Sequence, residues 1–161
     1  MRQFILVIGL TIFFEAIAMA AGFTDNGNGT VTDTTTSLMW QQCSAGLSTT
    51  TTSCDTGTAT TFSSWNAAVS YCQDLSLAGF TDLRLPNVKE LKSISDTGYY
   101  SPAIDTTYFP NTKTSSYWSS TNCVGGSCVW VVGFNDGGVG ISFMSTSGNG
   151  EGYVRCVRYA Q

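Results

Sequence analysis

An α+β fold, with two helices packed on antiparallel sheet, is predicted for this 161-residue chain. Three observations predict it. The segments at either end of the chain beyond about residue 21 read as short strands divided by glycine-bearing turns. The middle switches to a helical period. Six cysteines follow an apolar leader, enough to staple a small core.

Met1-Arg2-Gln3 is a short basic start, Phe4 to Phe14 an apolar run, and Ala18-Met19-Ala20 a small-x-small cleavage pattern. Residues 1–20 therefore read as a secretory signal peptide, with a retained N-terminal anchor as the alternative. The apolar run is too short to span a bilayer as a stable helix. One domain is expected over 21–161.

Phe23 to Gln42 reads as a β-hairpin, with Asn26-Gly27 and Asn28-Gly29 as turn dipeptides and Val31 and Leu38-Met39-Trp40 as strand. Ser44 to Thr61 is rich in Ser and Thr, lacks periodicity, and reads as a surface loop. Trp65, Ala68, Val69, Cys72 and Leu75 recur on one helical face, and Gly79 is expected to stop that helix. A second helix opens at Pro86-Asn87, with Asn87 as cap, Glu90 completing a capping box, and Leu91 and Ile94 buried. Thr97 to Ser116 is a long loop region. Tyr117 to Ser120, Val129 to Phe134, Val139 to Met144 and Tyr153 to Tyr159 read as strands, with Asn135-Asp136-Gly137-Gly138 as a hairpin turn.

Composition excludes several chemistries. Histidine is absent, which removes Ser-His-Asp and Cys-His mechanisms, His-ligated zinc and any imidazole switch. The net charge is −4 and the pI is about 4.4, so phosphate backbones have no basic patch to bind. Charged residues make up 11% of the chain, less than half the usual share of about 25%. Solubility therefore rests on Ser, Thr, Asn and Gly. An even cysteine count after an export signal reads as disulfides. Proximity suggests Cys43–Cys54 and Cys123–Cys128, leaving Cys72 with Cys156, although the count alone does not choose among pairings. A metal site is disfavoured because no Cys-x-x-Cys pair is present.

The blocks Phe23-Thr24-Asp25-Asn26-Gly27-Asn28-Gly29-Thr30-Val31-Thr32-Asp33 and Leu38-Met39-Trp40 resemble the opening of the Lcl C-terminal domain family. The resemblance continues through Trp65 to Cys72, Ala78 to Asn87, Tyr100 to Asp105, Tyr108-Phe109-Pro110, Tyr117 to Thr121 and Tyr153 to Arg158. It implies a C-type-lectin-like fold. Arg84-Leu85-Pro86 and Val154-Arg155-Cys156-Val157 are also similar to the formylglycine-generating-enzyme branch of that fold. The resemblance further implies a staple from the first helix to the last strand, which supports Cys72–Cys156. It says little about function, because one fold hosts many activities.

Candidate sites are weighed against structural roles. Asp25, Asn26, Asn28 and Asp33 could form a calcium loop, but Gly27 and Gly29 stand where ligands would be needed, so a turn is preferred. Asn135-Asp136 resembles part of a lectin calcium and sugar element, although Phe134 stands in place of Trp and the partner motif is missing. Ser119 and Ser120 lack an activating base, and Cys123 and Cys128 read as a structural disulfide rather than catalytic thiols. Asp96, Asp105 and Glu151 show no pairing of the kind that glycoside hydrolysis requires. Arg155 and Arg158 flank Cys156 on opposite strand faces, so one is expected to be buried, on an acid or on loop carbonyls; Arg84 is expected to behave similarly. Tyr99, Tyr100 and Tyr108 in the long loop are the candidate aromatic surface for stacking on sugar rings. Asn135, Asp136 and the loop Ser145 to Gly152, with Asn149 and Glu151, would add polar contacts.

The expectation is thus an exported, non-enzymatic binding module without a required cofactor, recognising a neutral glycan or a protein outside the cell. The adhesin that gives the family its name is associated with sulfated polysaccharides and trimerises behind a collagen-like stalk. This chain has no Gly-X-Y repeat and too few cations to suit a polyanion. The alternative is a structural subunit of an extracellular assembly or filament, a homo-oligomer among the options.

Overall fold

Three short strands divided by tight turns begin the structure, a computed structural model that describes residues 22–48, 53–144 and 151–161. They are β1 (Phe23–Asp25), β2 (Thr30–Asp33) and β3 (Leu38–Gln41), a meander where a single hairpin was expected. The first turn is closed by its own side chains. Asp25 Oδ1 accepts from the Gly27 N–H, Asn28 Oδ1 accepts from the Thr30 N–H, and Gly27 sits at φ +68°, where a glycine costs nothing. The C-terminal strand, labelled β9 (Val157–Tyr159), adds antiparallel to β3 and completes the sheet order β1-β2-β3-β9. Register aligns Val31 with Trp40 and Trp40 with Val157, and all three are fully buried. That cross-strand row is the backbone of the first core cluster.

The Ser/Thr-rich stretch is, in its described parts 44–48 and 53–61, more ordered than its composition suggests. β4 (Leu47–Ser48) and β5 (Thr56–Gly57) pair within it, the Cys43–Cys54 disulfide closes it, and Ser44 and Ala45 are fully buried. The purely surface loop expected for Ser44 to Thr61 is corrected accordingly. Two-residue strands leave no period to detect.

Helix α1 (Trp65–Asp74) is capped by Ser64, whose side chain accepts from the Ala67 N–H, and it buries Ala68 and Cys72. It ends at Leu75, short of Gly79. Ala78 and Gly79, at φ +53° and +83°, instead form the tight turn of a Leu77–Phe80 bridge. Gly79 therefore serves a turn rather than a helix end, which corrects its expected role. Helix α2 (Val88–Ser93) starts as the sequence indicates: Asn87 Oδ1 accepts from the Glu90 N–H and Glu90 Oε2 accepts from the Asn87 N–H. Its buried side is Leu91, with Ile94 following at the cap.

The remaining sheet is β6 (Ser116–Asn122), β7 (Cys128–Gly133) and β8 (Val139–Phe143), antiparallel in that order. Alternation gives its faces different fates. Tyr117 and Val132 join the first core cluster, beneath α2. Trp118, Val129 and Val131 join a second cluster with Ala68, Cys72, Leu83, Leu85, Val154 and Cys156. Cys72–Cys156 links α1 to the C-terminal segment inside that second cluster, and Cys123–Cys128 closes the β6–β7 hairpin.

The C-terminal stretch departs from the expected strand. Regular pairing begins only at Val157, and Arg155 precedes it, so face alternation does not govern the two arginines. Both are buried. Arg158 donates to the Asp82 carboxylate at 2.7 and 3.1 Å and lies over the Phe80 ring. Arg155 lies inside the molecule with no carboxylate, donating to the Gln41 and Gln42 carbonyls and to Thr112 Oγ1.

Candidate functional site

A cleft of about 340 Å³ opens where the β1–β2–β3 meander, the end of α2 and the Asp96–Tyr108 loop meet. Three carboxylates line it, Asp33, Asp96 and Asp105, together with Phe23, Tyr108 and the hydroxyl residues Thr35, Thr36, Ser93 and Ser95. No Lys or Arg is among its lining residues.

Each carboxylate is fixed by the chain on which it sits. Asp33 ends β2 and accepts from the N–H groups of Thr35 and Thr36 and from the Thr36 hydroxyl. Asp96 Oδ1 accepts from the Gly98 N–H, and Asp105 Oδ1 from the Thr107 N–H. These are Asx-type turns, in which a short acidic side chain takes the place of a backbone acceptor. They hold one oxygen of Asp96 and of Asp105 and leave the other outside the turn.

The aromatic wall is built by packing. Tyr108 and Phe23 lie 5.5 Å apart between ring centroids, and Phe23 meets the buried Phe109 edge-on at 5.1 Å. Phe109 lies under the Arg155 guanidinium at 4.7 Å. Thr112 Oγ1 accepts from Arg155 and donates to the Phe109 carbonyl. Arg155 thus supports the loop that carries Asp105 and Tyr108 from below. Lys92 does the same from the side, donating to Ser95 Oγ and to the Gly137 carbonyl of the β7–β8 turn.

Tyr99, 45% exposed, is coupled to this site electrostatically through Asp105. The Asp105 carboxylate beside it, with Asp96 adding to the negative field, holds its phenol above the usual tyrosine range. Arranged this way, the cleft offers acceptors for hydroxyl or cationic groups and a ring face for apolar C–H surface. Its electrostatics repel anions.

A family model for the Lcl C-terminal domain matches residues 29–158. The chain belongs to the Lcl C-terminal domain family. No curated protein and no solved structure matches it. In this Lcl C-terminal domain the matched span contains Asp33, Asp96, Asp105 and Tyr108, while Phe23 lies before it.

The other residues singled out in the sequence fall elsewhere. Tyr100 is exposed and does not line the cleft. Asn135 and Asp136 form the β7–β8 turn: the Asn135 carbonyl accepts from the Ser101 N–H, and Asp136 Oδ1 from the Gly138 N–H. Glu151 accepts from the Thr61 hydroxyl ahead of α1, and Gly152 next to it pairs with Phe62. Asn149 lies outside the described residues. Asp25 spends its oxygens on the Gly27 N–H and on Gln42, Asn28 Oδ1 accepts from Thr30, and Asn26 Oδ1 accepts from the Thr32 hydroxyl. Among the described residues no group of three or more His, Cys, Asp or Glu side chains is placed to hold a metal ion. Sequence reasoning missed the convergence itself. Asp33 and Asp105 are far apart in the chain, and only the meander's position against the long loop brings them to one cleft.

Proposed function

We propose that this Lcl C-terminal domain is an exported recognition module that binds a neutral glycan in the cleft lined by Asp33, Asp96, Asp105, Phe23 and Tyr108. The observation carrying this reading is the pairing of three carboxylates with an aromatic wall and no lining cation. Sugar hydroxyls donate to the free carboxylate oxygens, and a pyranose face covers Tyr108, the usual division between polar fixing points and apolar contact. A sulfated or uronate-rich chain would meet three negative charges with no lining cation to balance them. Binding rather than catalysis is supported by the absence of histidine from the chain. A place outside the cell is supported by three disulfides, which persist in oxidising compartments. Among the described residues no helix is long and apolar enough to cross a membrane. The C-type-lectin-like fold implied by the sequence blocks is supported by the α1-to-C-terminus staple Cys72–Cys156. A second reading, a subunit of an extracellular assembly, is favoured by the bare apolar face on β7 and β8.

Calorimetric titration against a panel of neutral oligosaccharides, with heparin as the sulfated control, tests the glycan reading. Saturable binding to a neutral member is expected, weakened at least about tenfold by Asp105→Asn or Tyr108→Ala. Asn keeps the acceptor for the Thr107 N–H, so the loop survives that change. Binding of heparin alone, or of a neutral sugar with both variants unaffected, would sink the assignment.

A further inference from the structure

The three-stranded sheet leaves part of one face uncovered. On β8, Val139, Ile141 and Phe143 alternate toward that face and are 45%, 60% and 68% exposed. Ile141 is the register partner of Trp130 on β7, which is 37% exposed on the same face. The face is not bare along its whole length: Val132, two residues from Trp130, is fully buried in the first core cluster. The apolar row starts where that cover ends.

We propose that this row is a homodimer interface, in which Trp130, Val139, Ile141 and Phe143 pack face to face against the same four residues of a second copy. Three features select a second copy as the occupant. Neither β7 nor β8 contains a charged residue, whereas the chain as a whole carries −4. Two acidic chains repel wherever their carboxylates meet, and this uncharged face removes that cost. The row is also self-complementary, because its ends, Val139 and Phe143, stand at equal distances from Ile141 along the strand. A two-fold axis near Ile141 sets Val139 against Phe143 of the other copy and Ile141 against itself, the isologous arrangement of a closed dimer.

Area agrees with this. At these exposures the four side chains present roughly 400 Å² of apolar surface, at the upper end for one patch on a monomer. Two copies withdraw roughly 800 Å² from the centre alone, so a rim supplying about 400 Å² or more completes the ~1,200–2,000 Å² of a specific complex. The fully exposed Val124, at the tip of the adjoining β6–β7 hairpin, is available to that rim. A sugar fits this face poorly, since the row offers no side-chain hydrogen-bonding group apart from the Trp130 indole N–H. None of the cleft-lining residues lies on β7 or β8. The dimer therefore stands or falls independently of glycan binding.

Sedimentation equilibrium of the exported, disulfide-intact protein tests it. A reversible monomer–dimer equilibrium is expected, with acrylamide quenching of tryptophan fluorescence falling as the dimer fills, since Trp130 is exposed whereas Trp40 and Trp118 are buried. Ile141→Lys places two like charges at the axis and is expected to weaken the dimer at least about a hundredfold. Its circular dichroism and melting temperature should stay close to the parent's, because Ile141 is exposed in the monomer. Ile141→Asp should do the same, and an equimolar mixture of the two variants should restore dimers through opposite charges. A protein monomeric at every accessible concentration overturns the proposal, as do dimers indifferent to both variants. Flotation of the monomer with phosphatidylcholine vesicles, lost on Ile141→Lys, would overturn it in favour of a membrane.

Discussion

Arg155 keeps its charge in a buried site where carbonyls, hydroxyls and a ring take the place of an acid. Burial pulls its pKa below the usual guanidinium value, against an opposing push from the Tyr117 hydroxyl. A guanidinium starting so high stays protonated. The cation therefore holds together three stretches: the end of β3, Thr112 above the cleft loop, and the C-terminal segment. Among the described residues its Nε has no hydrogen-bond partner and neither has Gln42 Oε1, so the network is short of full satisfaction there. Arg155→Met strands the Gln41 and Gln42 carbonyls, and an unfolding midpoint in urea should report a loss of about 3 kcal/mol. A loss below about 1 kcal/mol would mean that the carbonyls find other donors. The chain order told part of this in advance. A buried arginine beside Cys156 was legible; that both arginines would be buried was not, because alternation holds only where ladder pairing holds. Gly152 gives a second case. A Cβ there would come within 2.8–3.1 Å of the Trp118 indole, a restriction that no local pattern announces.

Elements with a local cause were the readable ones. Helix α2 follows from Asn87 and Glu90, three residues apart, each satisfying the other's N–H. Glu90 also takes both guanidinium nitrogens of Arg84 at 2.8 Å. Burial pushes the Glu90 carboxyl up, but the bonds from Arg84 and the Asn87 N–H outweigh it, so the net pKa lies below its ordinary value of 4.5. A carboxylate more acidic in the folded state than in the unfolded one contributes its full stability above the unfolded value. That contribution is lost as pH falls through the folded value. Thermal melts should therefore show stability dropping as the pH falls below the ordinary carboxyl value, with Glu90→Gln flattening the drop and costing about 1 kcal/mol at neutral pH. An equally steep drop in the variant would assign the acid sensitivity elsewhere, Asp82 beside Arg158 being the first alternative. The end of α1 and the β4–β5 pair were less legible. Gly79 looks like a helix stop until the positive φ of Ala78 shows that it belongs to a turn, and two paired residues carry no period.

Across the whole molecule, the two core clusters share the β6–β7–β8 sheet, and the three disulfides tie down loops of very different length. Cys72–Cys156 closes 84 residues, Cys43–Cys54 closes 11 and Cys123–Cys128 closes 5. If unfolded-chain entropy sets their worth, the order is about 4.5, 3 and 2 kcal/mol. Paired Cys→Ala variants compared by urea midpoint should follow that order, and equal losses for all three would reject an entropic origin. The fold class and the strand-helix-strand order were visible in the sequence because periodicity is a local property. The cleft was not, because Asp33, Asp96 and Asp105 meet only through packing between distant segments.

The way the cations are engaged has a consequence in proteolytic terms. Of the six basic residues in the described chain, Arg84, Lys92, Arg155 and Arg158 are each engaged by partners inside the fold. A protease that cuts after Lys or Arg is left with Lys113, bound through its own N–H to the Tyr117 hydroxyl, and Lys89, wound into the first turn of α2. To such an enzyme the folded domain offers few sites, and cleavage at the other four must wait for unfolding. The four cations that brace the domain's architecture are thus also kept from a cleaving enzyme.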